Sequence, residues 1–89
     1  MANPDSLSRE LKRRGFQCSV ETTAEGSVCI IHAGPNGTFE TPVEVHQQLP
    51  RDPHIGGFQW RAGGVVHRAM LNAGTEQLAN EVIASILET

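Results

Sequence analysis

Four histidines and two cysteines are the side chains of this 89-residue sequence best suited to catalysis or metal binding. They are His32, His46, His54, His67, Cys18 and Cys29. Metal sites usually show close ligand spacing, such as H-x3-H or C-x2-C, but the histidines follow one another at gaps of 14, 8 and 13 residues. The sequence also lacks a G-x-S-x-G nucleophile motif. We therefore expect no catalytic centre, metal or cofactor, and a protein that is not an enzyme.

One loop keeps an alternative open. It contains prolines at positions 50 and 53, which interrupt any helix or strand, and it carries Asp52 and His54. Loops longer than their neighbours often carry function. A small enzyme or metal-binding protein built on this loop would use His46, Asp52, His54 and His67. The simpler interpretation is a solvated loop joined to a β-hairpin, in which His67 packs on Trp60.

Charge and hydropathy narrow the possible partners. The net charge is −3 at pH 7, so no global field attracts nucleic acid or an anionic membrane. No apolar run approaches the roughly 18 residues that a membrane helix needs, and the N-terminal segment lacks the apolar stretch of a secretory signal. We expect a cytoplasmic protein that binds no membrane.

A basic cluster near the N-terminus supports a second alternative, a nucleic-acid-binding accessory protein. The cluster holds four of the seven cations, namely Arg9, Lys12, Arg13 and Arg14, and such residues can follow phosphates. However, the helix dipole alone accounts for cations in the last turn of a helix. Aromatic residues make up only 4% of the chain, which leaves little for base stacking. Nucleic acid is therefore not the partner we expect.

Two helices are predicted from their end signals and apolar spacing. The first spans about residues 4–14, with Asn3 as its cap and Gly15 as the left-handed residue that ends it. The second spans about residues 76–87, with Thr75 as its cap. Its apolar stripe consists of Leu78, Ala79, Val82, Ile83 and Ile86.

Strand-like alternation fills the segment between the helices. A two-residue loop at Glu25-Gly26 would pair Val20 with Ile31, and a loop ending at Gly37 would pair Cys29 with Val43. Both turns predict the same inner face: Phe16, Cys18, Val20, Cys29, Ile31, Phe39, Val43 and Val45. A further hairpin at Gly63-Gly64 would place Trp60 opposite His67.

This register separates the two cysteines. Cys18 and Cys29 would be offset by about four residues, or roughly 13 Å, whereas a disulfide needs Cα atoms within about 7 Å. We expect two buried thiols in a reducing compartment.

The predicted fold is a single α+β domain over residues 1–89. An antiparallel sheet, built from a three-stranded meander and a second hairpin, carries an N-terminal and a C-terminal helix on one face. The other face should be polar, yet it includes four apolar residues: Val28, Ile30, Val66 and Met70. An apolar group on such a face marks a partner surface. We therefore predict a small interaction module (a regulator, adaptor, inhibitor or chaperone-like subunit) that binds a protein partner or forms a homodimer.

Overall fold

In the computed structural model, which describes residues 2–24, 26–48, 57–70 and 72–87, five antiparallel strands form one sheet with a helix before and after it. The elements are α1 (Pro4–Arg13), β1 (Gln17–Thr23), β2 (Gly26–Gly34), β3 (Gly37–Gln48), β4 (Gly57–Ala62), β5 (Val65–Met70) and α2 (Thr75–Leu87). The strands lie in the order of the chain, β1-β2-β3-β4-β5. The predicted α+β class is confirmed, and the second hairpin joins the meander through β3 and β4. None of the described helices is long and apolar enough to cross a membrane.

The two helices begin next to each other. Asn3 caps α1 as predicted: its Oδ1 accepts a hydrogen bond from the Ser6 amide at 2.8 Å. The predicted cap of α2 is wrong, because Thr75 is already the first helical residue and Gly74 supplies the carbonyl that accepts from the Leu78 amide. The Thr75 hydroxyl lies 3.0 Å from the Ser6 hydroxyl instead. This bond ties the start of one helix to the start of the other.

The end of α1 is a Schellman motif. Gly15 has a φ of +93°, and its amide donates to the Lys12 carbonyl at 3.1 Å. The Phe16 amide donates to the Leu11 carbonyl at 3.0 Å. These are the two bonds that define the motif, so the predicted stop is confirmed. The motif turns the chain from the helix directly into β1.

The predicted register of the first hairpin is wrong by two residues. Val20 lies opposite Cys29 rather than opposite Ile31, because Thr23 already pairs with Gly26 and the turn therefore begins one residue earlier. A shift of two residues keeps every side chain on its original face, since successive side chains of a strand alternate between faces. The inner face is therefore as predicted although the pairs are not.

The register of the second hairpin differs as well. The predicted loop is wrong by one residue, because Gly37 already pairs with Gly34, and β3 then carries a large bulge. Cys29 pairs with Val45 instead of Val43. Between the pairs Ala33–Thr38 and Ile31–Val43, β3 contributes residues 39–42 while β2 contributes residue 32 alone. The extra residues let the Phe39 ring turn inwards. A Cβ on Gly34 would lie 3.3 Å from the rings of both Phe39 and Phe16, so glycine gives these rings their space.

The core lies between the inner face of the sheet and both helices. Its largest fully buried side chains are Leu7, Leu11, Cys29, Ile31, Val45, Phe58, Leu78 and Val82. Trp60 lies opposite His67, as predicted, and the two rings stack with centroids 5.8 Å apart. The indole N–H of Trp60 donates to the buried Ser85 hydroxyl at 2.8 Å. That hydroxyl in turn donates to the Val82 carbonyl, which anchors β4 to α2.

Replacing Gly15 with alanine should destabilise the protein. An L-residue in a left-handed conformation costs about 1–2 kcal/mol, which corresponds to a fall in Tm of roughly 5–15 °C for a domain of this size. Gly15→Asn should lose clearly less stability, since asparagine tolerates this conformation better. Thermal unfolding followed by circular dichroism measures both. Equal losses for the two variants would contradict the assignment of the cost to backbone conformation.

Candidate functional site

The sheet face that points away from the helices, called the outer face from here on, is covered by none of the described elements. Both helices contribute to the single core on the inner side. One row of outward residues crosses all five strands, with each member directly opposite the next: Glu21, Val28, His46, Gln59 and Arg68. At a strand spacing of about 4.8 Å, Glu21 and Arg68 lie at opposite ends of this row, roughly 19 Å apart.

Charge divides the outer face into two halves. The strands β1 and β3 present Glu21 and Glu44, while β4 and β5 present Arg61 and Arg68, and all four side chains are exposed. In the described part of the chain, none of these four forms an ion pair with an acidic or basic residue other than histidine. Glu44 has only His46 within reach, at 3.9 Å, and that contact is an ion pair only when the imidazole is protonated. The four charges are therefore available to a partner.

The four predicted apolar contact residues do not form one patch. Val28 is only 5% exposed and Ile30 is half-buried, whereas Val66 is 43% and Met70 is 71% exposed. The polar residues of β3 and β4 lie between the β2 pair and the β5 pair. Met70 is thus the apolar side chain that protrudes most, and it does so at one edge of the face.

A hollow of about 750 Å³ lies at the opposite edge, beside the turn between β1 and β2. Its lining includes Thr23, Gly26 and Val28, with the carboxylates of Glu21 and Glu44 close by. An acidic hollow near one edge and a protruding methionine beside arginines at the other make the outer face asymmetric in shape as well as in charge.

The histidines of the loop alternative do not come together. His46 is on the outer face, whereas His67 lies on the inner face against Trp60. Asp52 and His54 fall outside the described residues. His32 lies 2.9 Å from the Ser19 hydroxyl. Within the described ranges, no group of three or more His, Cys, Asp or Glu side chains is arranged to hold a metal ion.

Half of the basic cluster serves the structure of the helices. Both Arg13 and Arg14 donate to Glu10, at 2.9 Å and 3.2 Å from their Nε atoms. The bond from Arg13 lowers the pKa of the Glu10 carboxyl, and the same bond raises the pKa of Arg13. Arg14 also donates to Asn80 on α2 at 2.5 Å. Of the four clustered cations, Arg9 and Lys12 are exposed and have no ion pair in the part of the chain that the structure describes.

The two cysteines are closer than the sequence predicts. Cys18 lies opposite Ile31 and Cys29 opposite Val20, so they are offset by two residues and are diagonal neighbours, about 7–8 Å apart between Cα atoms. The predicted separation of 13 Å is wrong because it depends on the wrong register. Both thiols are free and buried. The Cys18 thiol donates to the Ser8 carbonyl at 3.4 Å.

Sequence reasoning missed a cleft between β3 and β4. These strands share only three described pairs, from His46–Gln59 to Gln48–Gly57, and residues of both strands beyond these pairs line a cavity of about 810 Å³. Pro42 was a usable signal, because proline inside a strand indicates an edge where no ladder bond is needed. The lining of this cleft also includes Trp60 and Ile86.

The buried Cys29 thiol should make stability fall at alkaline pH. Burial raises its pKa from 9.0 to about 12. Below pH 9 the thiol is neutral in both states and the stability is fully present. Between pH 9 and 12 the unfolded chain loses a proton that the folded chain keeps, so the free energy of unfolding falls by up to about 1.4 kcal/mol per pH unit.

Urea unfolding from pH 7 to 10.5 measures this slope, and Cys29→Ala should flatten it. The chain contains no tyrosine, so few other groups titrate in this range. An equally steep slope in the variant would contradict the assignment to Cys29.

Duplex DNA or RNA should bind weakly. With two of the four clustered cations already paired, we expect a Kd no tighter than about 10⁻⁴ M at physiological salt. Fluorescence anisotropy with a labelled duplex measures it. A micromolar Kd with a steep salt dependence, abolished in Arg9→Glu with Lys12→Glu, would contradict this expectation and favour the nucleic-acid alternative.

Comparisons with known proteins supply no relative for this chain. No family model matches it, and neither the curated proteins nor the solved structures contain a significant match. The arrangement of the side chains on the outer face is therefore the starting point for assigning a function.

Proposed function

We propose that this protein is a small, non-enzymatic interaction module, of the kind that serves as a regulator, adaptor, inhibitor or chaperone-like subunit. Its contact surface is the outer face of the sheet, and its first partner is a second copy of the same chain. The observation that carries this proposal is that the two edges of the outer face complement each other in charge and shape, with Glu21 and the hollow at one edge and Arg68 and Met70 at the other. Two free, buried thiols fit a reducing compartment such as the cytoplasm.

The geometry of the proposed dimer follows from the row of outward residues that runs from Glu21 to Arg68. A two-fold axis parallel to the strands and above β3 lays β5 of one copy over β1 of the other. Because Glu21 and Arg68 belong to the same row, this rotation brings Glu21 over Arg68 of the second copy, and the same contact occurs again on the other side of the axis. Opposite charges facing each other fix the register of an interface.

The same rotation places Met70 close to the hollow of the second copy. The next row of outward residues contains the pair Met70–Gly57 at one edge of the sheet and the pair Thr23–Gly26 at the other edge. Met70 of one copy therefore approaches the acidic hollow lined by Thr23, Gly26 and Val28 of the other. Methionine adapts well to an irregular cavity, and the lining of this one includes the largely buried Val28. A two-fold interface in which one patch contacts another in both directions is the commonest kind in soluble homo-oligomers.

Size limits the affinity. Five strands at 4.8 Å spacing and about six residues at 3.3 Å each give a face of roughly 400 Å² in projection. Accessible surface exceeds its projection, so the face supplies at most about the 800 Å² per partner that a standard stable interface buries. Exposed ion pairs add only about 0.2–1 kcal/mol each. We therefore expect a reversible dimer, observed in a concentration-dependent equilibrium with the monomer.

Charge reversal at the two ends of the row tests the proposal. Glu21→Arg and Arg68→Glu should each weaken self-association by roughly thirtyfold, because the two-fold axis changes two contacts by about 1 kcal/mol each. An equimolar mixture of the two variants should associate as strongly as the wild type, since arginine at 21 then faces glutamate at 68. Sedimentation velocity over a range of concentrations measures the self-association of the wild type, of each variant and of the mixture.

Matched controls carry the same charge changes on the helices. Arg9→Glu on α1 and Glu81→Arg on α2 should leave self-association unchanged. A wild type that stays monomeric into the high micromolar range would contradict the proposed dimer. A mixture that fails to recover association would contradict the pairing of Glu21 with Arg68.

A further inference from the structure

We propose that Ser19 is a site of covalent modification, at which the hydroxyl accepts an acyl group from an activated ester or thioester. The His32 imidazole is the general base that removes the hydroxyl proton. This inference goes beyond the proposed interaction module and does not rest on self-association, because neither side chain carries a contact assigned to the dimer.

A bulge in β2 directs His32 towards Ser19. The pairing of β2 with β1 steps from Ala33 to Ile31, and the pairing of β2 with β3 makes the same step. Residue 32 therefore pairs with neither neighbouring strand, although the residues on both sides of it are paired. Bulges of this kind re-aim a side chain and are over-represented next to active sites. Here the redirected side chain contacts Ser19 on β1.

The contact has the geometry of a nucleophile and its base. The Ser19 Oγ and the His32 Nε2 are 2.9 Å apart, inside the range of about 2.6–3.2 Å that such pairs require. When the ring carries its proton on Nδ1, Nε2 accepts the hydrogen bond from the hydroxyl. His32 is exposed and Ser19 is half-buried, so an acyl donor can reach the hydroxyl from the solvent side.

No other described serine has its hydroxyl against an imidazole. The hydroxyls of Ser6, Ser8 and Ser85 contact hydroxyl, thiol, indole or backbone groups of the helices and the core. Ser27 on β2 is half-buried, as Ser19 is, but its hydroxyl has no histidine partner in the part of the chain that the structure describes. Ser27 is therefore an internal reference, a serine of similar exposure without a base.

The acylation step moves one proton and exchanges one acyl bond for another. The Ser19 Oγ attacks the carbonyl carbon of the donor while its proton passes to the His32 Nε2. The bond from the carbonyl carbon to the leaving oxygen or sulfur then breaks, and the leaving group takes the proton from the imidazolium. The products are an ester of Ser19, a neutral imidazole and a free alcohol or thiol, so the step needs no further reactant.

Two features make this a lasting modification rather than a catalytic cycle. The product is an alkyl ester, whose alkoxide is a much poorer leaving group than a thiolate or an aryl oxide, so water removes the acyl group slowly. In catalytic triads a carboxylate orients the imidazole, whereas no carboxylate pairs with His32 in the described ranges. The acyl group therefore stays on Ser19, opposite Ile30 on the outer face.

The acyl donor p-nitrophenyl acetate tests this inference. Intact mass spectrometry after timed exposure counts the acetyl groups, and peptide mapping assigns each one to a residue. We expect Ser19 to be acetylated at least about a hundredfold faster than Ser27, since general-base catalysis contributes about 10²–10⁴-fold. The reaction is also run on Arg68→Glu, in which the proposed dimer is weakened, so that self-association does not limit access.

Two matched variants locate the base. His32→Gln keeps a side chain that can hydrogen-bond to Ser19 but cannot take its proton, so acetylation of Ser19 should slow by at least about a hundredfold. His46→Gln makes the same change at another exposed histidine of the outer face, which contacts Glu44 instead of a serine. This variant should leave the rate unchanged. Both positions lie outside the core, so neither change disturbs the packing of the fold.

Three results would overturn the inference. One is acetylation of Ser19 no faster than that of Ser27, and another is an equal rate in the wild type and His32→Gln. The third is release of p-nitrophenol that requires His32 but persists in Ser19→Ala, because the imidazole would then be the nucleophile itself. All three are read from covalent mass or absorbance, whereas failure of the proposed dimer appears only in the sedimentation of the wild type.

Discussion

Burial of one sheet face beneath two short helices is the interaction on which the rest of this structure depends. A chain of 89 residues buries only about 60–65% of the surface that it exposes when unfolded, and here that burial is concentrated on the inner face. The bond between Ser6 and Thr75 and the bond between Arg14 and Asn80 hold the two helices side by side over that face. No described element is left to cover the outer face, which is therefore the sheet surface open to a partner.

The cleft and the boundary between the acidic and basic halves of the outer face both lie at the junction between β3 and β4. Three pairs of residues join the β1–β3 meander to the β4–β5 hairpin, and the cleft lies where this pairing stops. The boundary between the acidic and basic halves of the outer face follows the same line, with Glu21 and Glu44 on one side and Arg61 and Arg68 on the other. The bulge at residues 39–42 brings Phe39 against the core and lies beyond His46, where the described pairing of β3 with β4 ends.

Much of the fold could be predicted because its signals are local. The capping of α1 by Asn3, its end at Gly15 and the hairpin at Gly63-Gly64 depend on a few adjacent residues, and each is confirmed. The faces of the strands were predicted because they depend only on alternation. The registers were not, since a shift of two residues preserves every face and leaves hydrophobic patterning unable to choose between the alternatives.

The site was harder to predict because it depends on those registers. Val28 was correctly placed on the outer face, but its burial is a property of its neighbours across the sheet. The row from Glu21 to Arg68 appears only when all four strand pairings are known, and the two residues lie far apart in the sequence. The cleft had one local sign, Pro42, whose position inside a strand indicates an interrupted ladder.

Intermolecular contacts measured by isotope-filtered NMR test the central claim most directly. In a mixture of labelled and unlabelled chains, the two-fold arrangement predicts nuclear Overhauser contacts from the Met70 methyl of one copy to the methyl groups of Thr23 and Val28 of the other. It predicts none between the two Met70 methyls, which lie at opposite edges of the dimer. Contacts between copies through α1 or α2, or from one Met70 to the other, would contradict the assignment of the outer face as the surface of self-association.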